Sequence, residues 1–131
     1  MNNNMNNMNK SKYYQLFNNK MTEFIKDLIN VFPEDKDFKL FKNSFDLLKL
    51  NKEDQPCKVF SSVIQKFKDQ ILNKDENFFL KRDYNDVMEV DPDVTTSLID
   101  KLKNYWIELG NDKEIIWNYL ILLIKISDKC I

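Results

Sequence analysis

The chain has no histidine, a single glycine at Gly110 and a single arginine at Arg82. Each shortage removes a class of chemistry. Without histidine there is no ordinary general base near neutral pH, no Ser-His or Cys-His nucleophile pair, and no use of the commonest zinc ligand. One glycine cannot build a phosphate-cradling P-loop or a dinucleotide fingerprint, which need several at fixed spacing. Near-absence of arginine removes the planar fork that reads base edges and grips phosphate in pairs of hydrogen bonds. Cys57 and Cys130 are too few and too distant in sequence to form a zinc cluster alone. No alternating strand pattern bounded by hairpin turns occurs, and no apolar run reaches the roughly 20 residues a bilayer requires. Common enzyme classes are therefore disfavoured, and no cofactor or small-molecule substrate is expected.

What is present describes an ordinary helical domain. At 131 residues the chain is long enough to bury a core as one unit. Its 20 basic residues nearly cancel 21 acidic ones, so no global field advertises nucleic acid or membrane as partner. The abundance of Lys, Asn, Ile and Phe is what A/T-rich codons produce without selection on function. The amino end lacks the apolar core of a secretory signal, which points to a reducing intracellular setting. Both thiols then read as small buried apolar groups, with a disulfide or reactive thiol as the alternative. Cys130, close to the end, is equally compatible with exposure.

The low-complexity Asn-rich start, residues 1–10, reads as a disordered segment, followed by a single helical domain over 11–131. Helix one is expected over 11–31, capped by Ser11. Tyr14, Phe17, Met21, Phe24, Ile25, Leu28 and Phe32 share a face, and Pro33 ends it. Helix two follows with Asp35 or Asp37 as cap. Phe38, Phe41, Phe45 and Leu48 form its stripe, and Leu40 and Leu47 widen it. Helix three starts near Pro56, a residue suited to a first helical position. Val59 or Phe60, then Val63, Ile64, Phe67, Ile71 and Leu72, form its apolar side. Helix four is expected over 96–109, with Leu98, Ile99, Leu102, Tyr105, Trp106 and Leu109 inward. Asp93, Thr95 or Thr96 serves as its cap. Gly110 stands where a left-handed stop is needed. Asn111 with Glu114 suggests a capping box for helix five.

Helix five carries the densest apolar stretch, from Trp117 to Ile126. Every residue from Tyr119 to Ile124 is apolar, so this helix is expected to be buried on all sides at the centre of the core. Leu120, Leu123 and Ile124 should be buried and contact at least three other helices. The fold class is all-α: an irregular bundle of about five helices with the C-terminal helix as its central element.

The segment between helices three and four, residues 73–94, breaks the periodicity and is where function is sought. Phe78, Phe79 and Tyr84 are either a lid closing the bundle or an exposed anchor for a protein partner. Around them Arg82, Asp86, Glu89, Asp91 and Asp93 complete a candidate partner surface. With Asp83, these acids are either a solvated loop that helps cap helix four, a dock for a basic partner, or a Ca²⁺ or Mg²⁺ site without EF-hand order. Two lysine-bearing alternatives exist. Lys10, Lys12, Tyr13, Tyr14 and Lys20 could grip single-stranded nucleic acid or merely edge helix one. Lys58, Lys66 and Lys68, or Lys101 and Lys103, could form a basic helix face.

Three stretches carry a family resemblance. They are Phe24-Ile25-Lys26-Asp27-Leu28-Ile29 with Phe32-Pro33-Glu34-Asp35; the run from Gln70 to Leu80; and Leu102-Lys103-Asn104-Tyr105-Trp106 with Ile116-Trp117-Asn118-Tyr119-Leu120. Together they resemble small all-helical proteins of unassigned function encoded by giant nucleocytoplasmic DNA viruses. That resemblance implies a viral protein of the host cytoplasm or the virion and transfers no active residue. The expectation is a non-enzymatic interaction or structural protein with a protein partner or a homodimeric state. The alternative is a nucleic-acid-associated accessory factor.

Overall fold

The computed structural model describes the backbone of residues 3–80 and 94–130, and side chains within 10–80 and 97–130. Among these residues the chain is all-helical. In order the helices are α1 (Asn3–Val31), α2 (Lys36–Asn51), α3 (Gln55–Ile64), α4 (Lys68–Leu72), α5 (Asn77–Leu80), α6 (Val94–Tyr105) and α7 (Asp112–Cys130). Tight 3-10 turns follow α3 at Gln65–Phe67 and α6 at Trp106–Leu109. The sequence contains no alanine, the strongest helix former. These helices therefore rest on packing of their apolar faces more than on intrinsic propensity.

Local signals act where expected at several ends. Pro33 follows the close of α1, and Asp35 caps α2 by accepting the Asp37 N–H at 3.0 Å. Pro56 lies in the first turn of α3. Gly110 has φ +55° and ψ −122°, the conformation of the first central residue of a type II′ turn rather than a left-handed helix cap. Other ends differ. Helix α1 begins at Asn3, so Ser11 is not its cap; the Ser11 hydroxyl instead donates to Glu53 at 2.9 Å. Glu114, expected to reach back to Asn111, pairs with Lys74.

Two helices expected to be continuous are broken by 3-10 turns, and each break follows from packing. The turn at Gln65–Phe67 redirects the chain so that Phe67 meets the ring of Phe78 while Ile71 is buried in α4. The turn at Trp106–Leu109 tightens the end of α6 so that Trp106 and Leu109 both point inward and Ile107 is left outside.

Helix α4 ends in a Schellman motif. The Asp75 N–H donates to the Gln70 carbonyl at 2.8 Å, and the Lys74 N–H to the Ile71 carbonyl at 3.0 Å. The left-handed position of this motif is filled by Lys74, at φ 53°. Asp75 then caps the next turn, accepting the Asn77 N–H at 3.0 Å.

The C-terminal helix is the organising element. Helix α7 packs against α1, α3 and α4 and against the 3-10 turn that precedes it. It runs antiparallel to α1. Tyr14 bonds the Cys130 carbonyl at one end, and Phe24 stacks on Tyr119 at 4.8 Å farther along. Leu120, Leu123 and Ile124 are fully buried, as expected. The helix is not buried on all sides, however. Leu122 lies with Ile115, Asn118, Lys125 and Lys129 on an exposed stripe. The central helix is embraced by α1 on one flank and by α3 and α4 on the other, and nothing among the described residues closes over the third.

Candidate functional site

The expected partner surface divides in two. Arg82, Tyr84, Asp86, Glu89, Asp91 and Asp93, together with Asp83, lie outside the described residues. Phe78 and Phe79 belong to α5, and there the anchor reading is corrected: they are 3% and 1% exposed. Asp75 and Glu76 start the short helix, and its two rings turn into the core. Phe79 stacks on Trp106 at 4.0 Å and 12° and meets Trp117 edge-on at 5.1 Å. Phe78 leans on Phe67 at 5.1 Å and lies under the Lys103 ammonium at 4.9 Å. Phe79 and Phe78 are the inner wall of the bundle. Burying each is worth about 1.5–3 kcal/mol, which a surface anchor would forgo.

The lysine-rich readings also meet partners. Lys58 pairs with Asp54 at 2.6 Å and Lys68 with Asp128 at 2.7 Å. Lys101 bridges Asp35 and Asp37 at 2.9 and 2.7 Å. Lys103 is nearly buried over aromatic rings. At the amino end Tyr13 lies under Lys129, Tyr14 bonds the Cys130 carbonyl, and Lys20 pairs with Glu23. These tyrosines lean on α7 rather than forming a stacking platform. Among the described residues, no group of three or more His, Cys, Asp or Glu side chains is placed to hold a metal ion.

Two surface features remain. The first is a groove of about 310 Å³ between the carboxyl end of α1 and the amino end of α7. Its walls are Phe24, Leu28, Val31, Leu109, Ile115 and Ile116, with Asp27 and Asp112 among the lining residues. Asp27 is already engaged, accepting the hydroxyl proton of Tyr119. Burial and that carboxylate together push the Tyr119 phenol up to about 12. The groove is thus apolar with one of its two carboxylates committed to the fold.

The second is the outer face of α2. Phe38 and Phe45 point inward and are fully buried, which holds the helix against the bundle. Leu40 and Leu47 do not widen that inner stripe, contrary to the sequence expectation. They are 59% and 69% exposed, and Leu50 is 80% exposed. At helical spacing these leucines share one side with Asn43, Ser44 and Asn51, all exposed. The result is an outward face that carries no charge from Leu40 to Asn51, with Lys36 and Lys39 exposed at its amino end. Its frame is rigid. Asp35 caps the helix and is held by Lys101 and by the Tyr105 hydroxyl. Lys42 and Lys49 both pair with Asp46 along the flank, at 2.7 and 3.3 Å. Periodicity placed these leucines beside the phenylalanines but could not show that the bundle covers only the phenylalanine side.

Compared with known protein families, with curated proteins and with solved structures, the chain matches none.

Proposed function

We propose that the chain is a non-enzymatic structural and interaction protein, of viral origin, that self-associates through the outer face of α2. The observation that carries this reading is the exposure of Leu40, Leu47 and Leu50 on a helix side that is uncharged from Leu40 to Asn51. A second copy is the occupant such a face suits best. Pairing about a twofold axis sets a surface against itself, so any charge on it meets its own sign. From Leu40 to Asn51 this face carries none, and Lys36 and Lys39 at its amino end lie beyond an antiparallel pairing centred on Leu47. Together the three leucines expose roughly two whole leucine side chains per copy, so a symmetric pair would bury about four. At 1.5–3 kcal/mol each, that is about 6–12 kcal/mol, set against an association cost of about 4–15 kcal/mol. At its most favourable the balance is about 8 kcal/mol, a reversible dimer no tighter than about micromolar. Among the described residues no helix is long and apolar enough to cross a membrane.

Sedimentation velocity between about 1 and 300 µM tests the reading. The wild type is expected to shift from monomer to dimer across the range, and Leu47→Glu combined with Leu50→Glu to stay monomeric with unchanged helical circular dichroism. A wild type that stays monomeric throughout, or a variant that dimerises equally, would overturn it. A nucleic-acid-associated role draws less support, because Lys58, Lys68 and Lys101 are each held by an aspartate.

A further inference from the structure

The chain's only two cysteines, 57 and 130, stand at opposite parts of the sequence, yet the fold brings them together. Cys57 sits in the first turn of α3, just after Pro56, and Cys130 is the last residue of α7. These two helices pack on each other. Both thiols are free and both side chains are buried, at 0% and 1% exposure. Each thiol lies near enough to the other to influence its ionisation. Tyr14 of α1 closes the site from a third helix, its hydroxyl donating to the Cys130 carbonyl at 3.4 Å. Two cysteines of a helical domain need not meet at all, and a pair serving only as small apolar filler gains nothing from sharing a site.

We propose that Cys57 and Cys130 form a redox lock: a reversible intramolecular disulfide that fastens the carboxyl end of the central helix to the start of α3. The oxidant required is a disulfide of the glutathione class. The Cys130 thiolate attacks one sulfur of the oxidant. A new S–S bond forms, the oxidant's S–S bond breaks, and one glutathione thiolate leaves and takes up the proton Cys130 has lost. The Cys57 thiolate then attacks the Cys130 sulfur and displaces the second glutathione, which takes up the proton of Cys57. The protein loses two electrons, and one glutathione disulfide becomes two glutathione thiols.

Access and reactivity set how the lock operates. Cys130 lies in the last turn of α7, and helix ends open at lower cost than helix centres, so it is the sulfur that meets the oxidant first. Burial pushes both thiols above their ordinary range, which keeps them protonated and slow to react while the last turn of α7 is docked. Oxidation is therefore gated by fraying of the last turn of α7 and completed when that turn redocks beside Cys57. Closing a loop of this length in the unfolded chain should raise the melting temperature by roughly 10 °C.

The experiment treats the full chain with glutathione disulfide at neutral pH, then measures intact mass, peptide linkage and melting temperature. The expected product is a single covalent chain ~2 Da lighter, with the Cys57 and Cys130 peptides joined, and dithiothreitol reverses the change. Its melting temperature should rise, while Cys57→Ala and Cys130→Ala should show no such rise. Because either substitution could weaken the fold, the wild type with and without dithiothreitol supplies an internal comparison. Thiols that remain fully titratable after oxidation, a product left as a stable glutathione adduct, a link between two chains, or a lowered melting temperature would each overturn the proposal.

Discussion

Tyr105, the last residue of α6, donates its hydroxyl proton to Asp35, the residue that caps α2. One carboxylate thereby starts a helix and ties it to another far along the chain. Lys101 adds an ion pair to the same group at 2.9 Å, and Phe32 stacks on the Tyr105 ring at 4.2 Å. The cap that makes α2 begin at Lys36 is also what holds the proposed dimer face in place.

Burial alone would raise the Asp35 pKa, but the hydrogen bonds from Tyr105 and Lys101 outweigh it and hold the carboxyl below its ordinary 3.8. A depressed folded value contributes stability that is present above the ordinary value and lost as pH falls through the folded one. Tyr105→Phe is expected to cost about 1–2 kcal/mol at neutral pH. The advantage of wild type over Asp35→Asn should shrink as the pH drops below about 4. Urea unfolding at several pH values measures both; a difference constant down to the acid limit would contradict this account of the cap.

Phe79 lies flat on Trp106 at 4.0 Å with Trp117 at its edge. Phe79→Ala should therefore cost about 3–5 kcal/mol and strip much of the near-UV circular dichroism of the two tryptophans. Ile107→Ala, at a position 80% exposed, should stay within about 0.5 kcal/mol of wild type. Equal losses from the two variants would mean that α5 does not wall the core.

Lys74 occupies the left-handed position of the Schellman motif without being glycine. Lys74→Gly should relieve about 1 kcal/mol of backbone strain. It also removes the exposed ion pair with Glu114, which is worth little at a solvated site. Lys74→Ala removes the same pair and keeps the strain, so the glycine variant should be the more stable of the two by thermal melting.

Gly110 presents the opposite case. A Cβ there would meet nothing within 4 Å, so any penalty comes from the backbone alone. Gly110→Ala and Gly110→Ser should then lose similar stability, about 1–3 kcal/mol. A much larger loss for serine would point to crowding instead.

Tyr119 should ionise late. Its phenol, raised from 10.0 to about 12 by burial and by Asp27, keeps its proton while an exposed tyrosine loses it. Its contribution to stability is present below pH 10 and declines as the pH rises toward the folded value. Tyr14 and Tyr105 are raised as well, so absorbance titration at alkaline pH should show several delayed tyrosines, of which the one titrating near 12 disappears in Tyr119→Phe.

The sequence by itself determined the features that depend on near neighbours. The fold class, the stop at Pro33, an aspartate cap for α2 at Asp35 or Asp37, the positive φ at Gly110 and the inward faces of Phe38, Phe45, Leu120 and Leu123 all follow from local sterics and helical spacing. Only tertiary structure decided which faces find cover. Spacing shows that Leu40 and Leu47 lie near the phenylalanines of α2, but whether they are buried depends on how wide the neighbouring helices are. The same limit applies to Leu122 on α7, and to Phe78 and Phe79, whose apolar rings were equally compatible with core and with surface. The 3-10 turns after α3 and α6 arise because aromatic rings from distant segments must meet, which no local pattern records. The meeting of Cys57 with Cys130 is the plainest example. Spacing along one helix cannot register two helices against each other, and that register is set when α7 packs between α1 and α3.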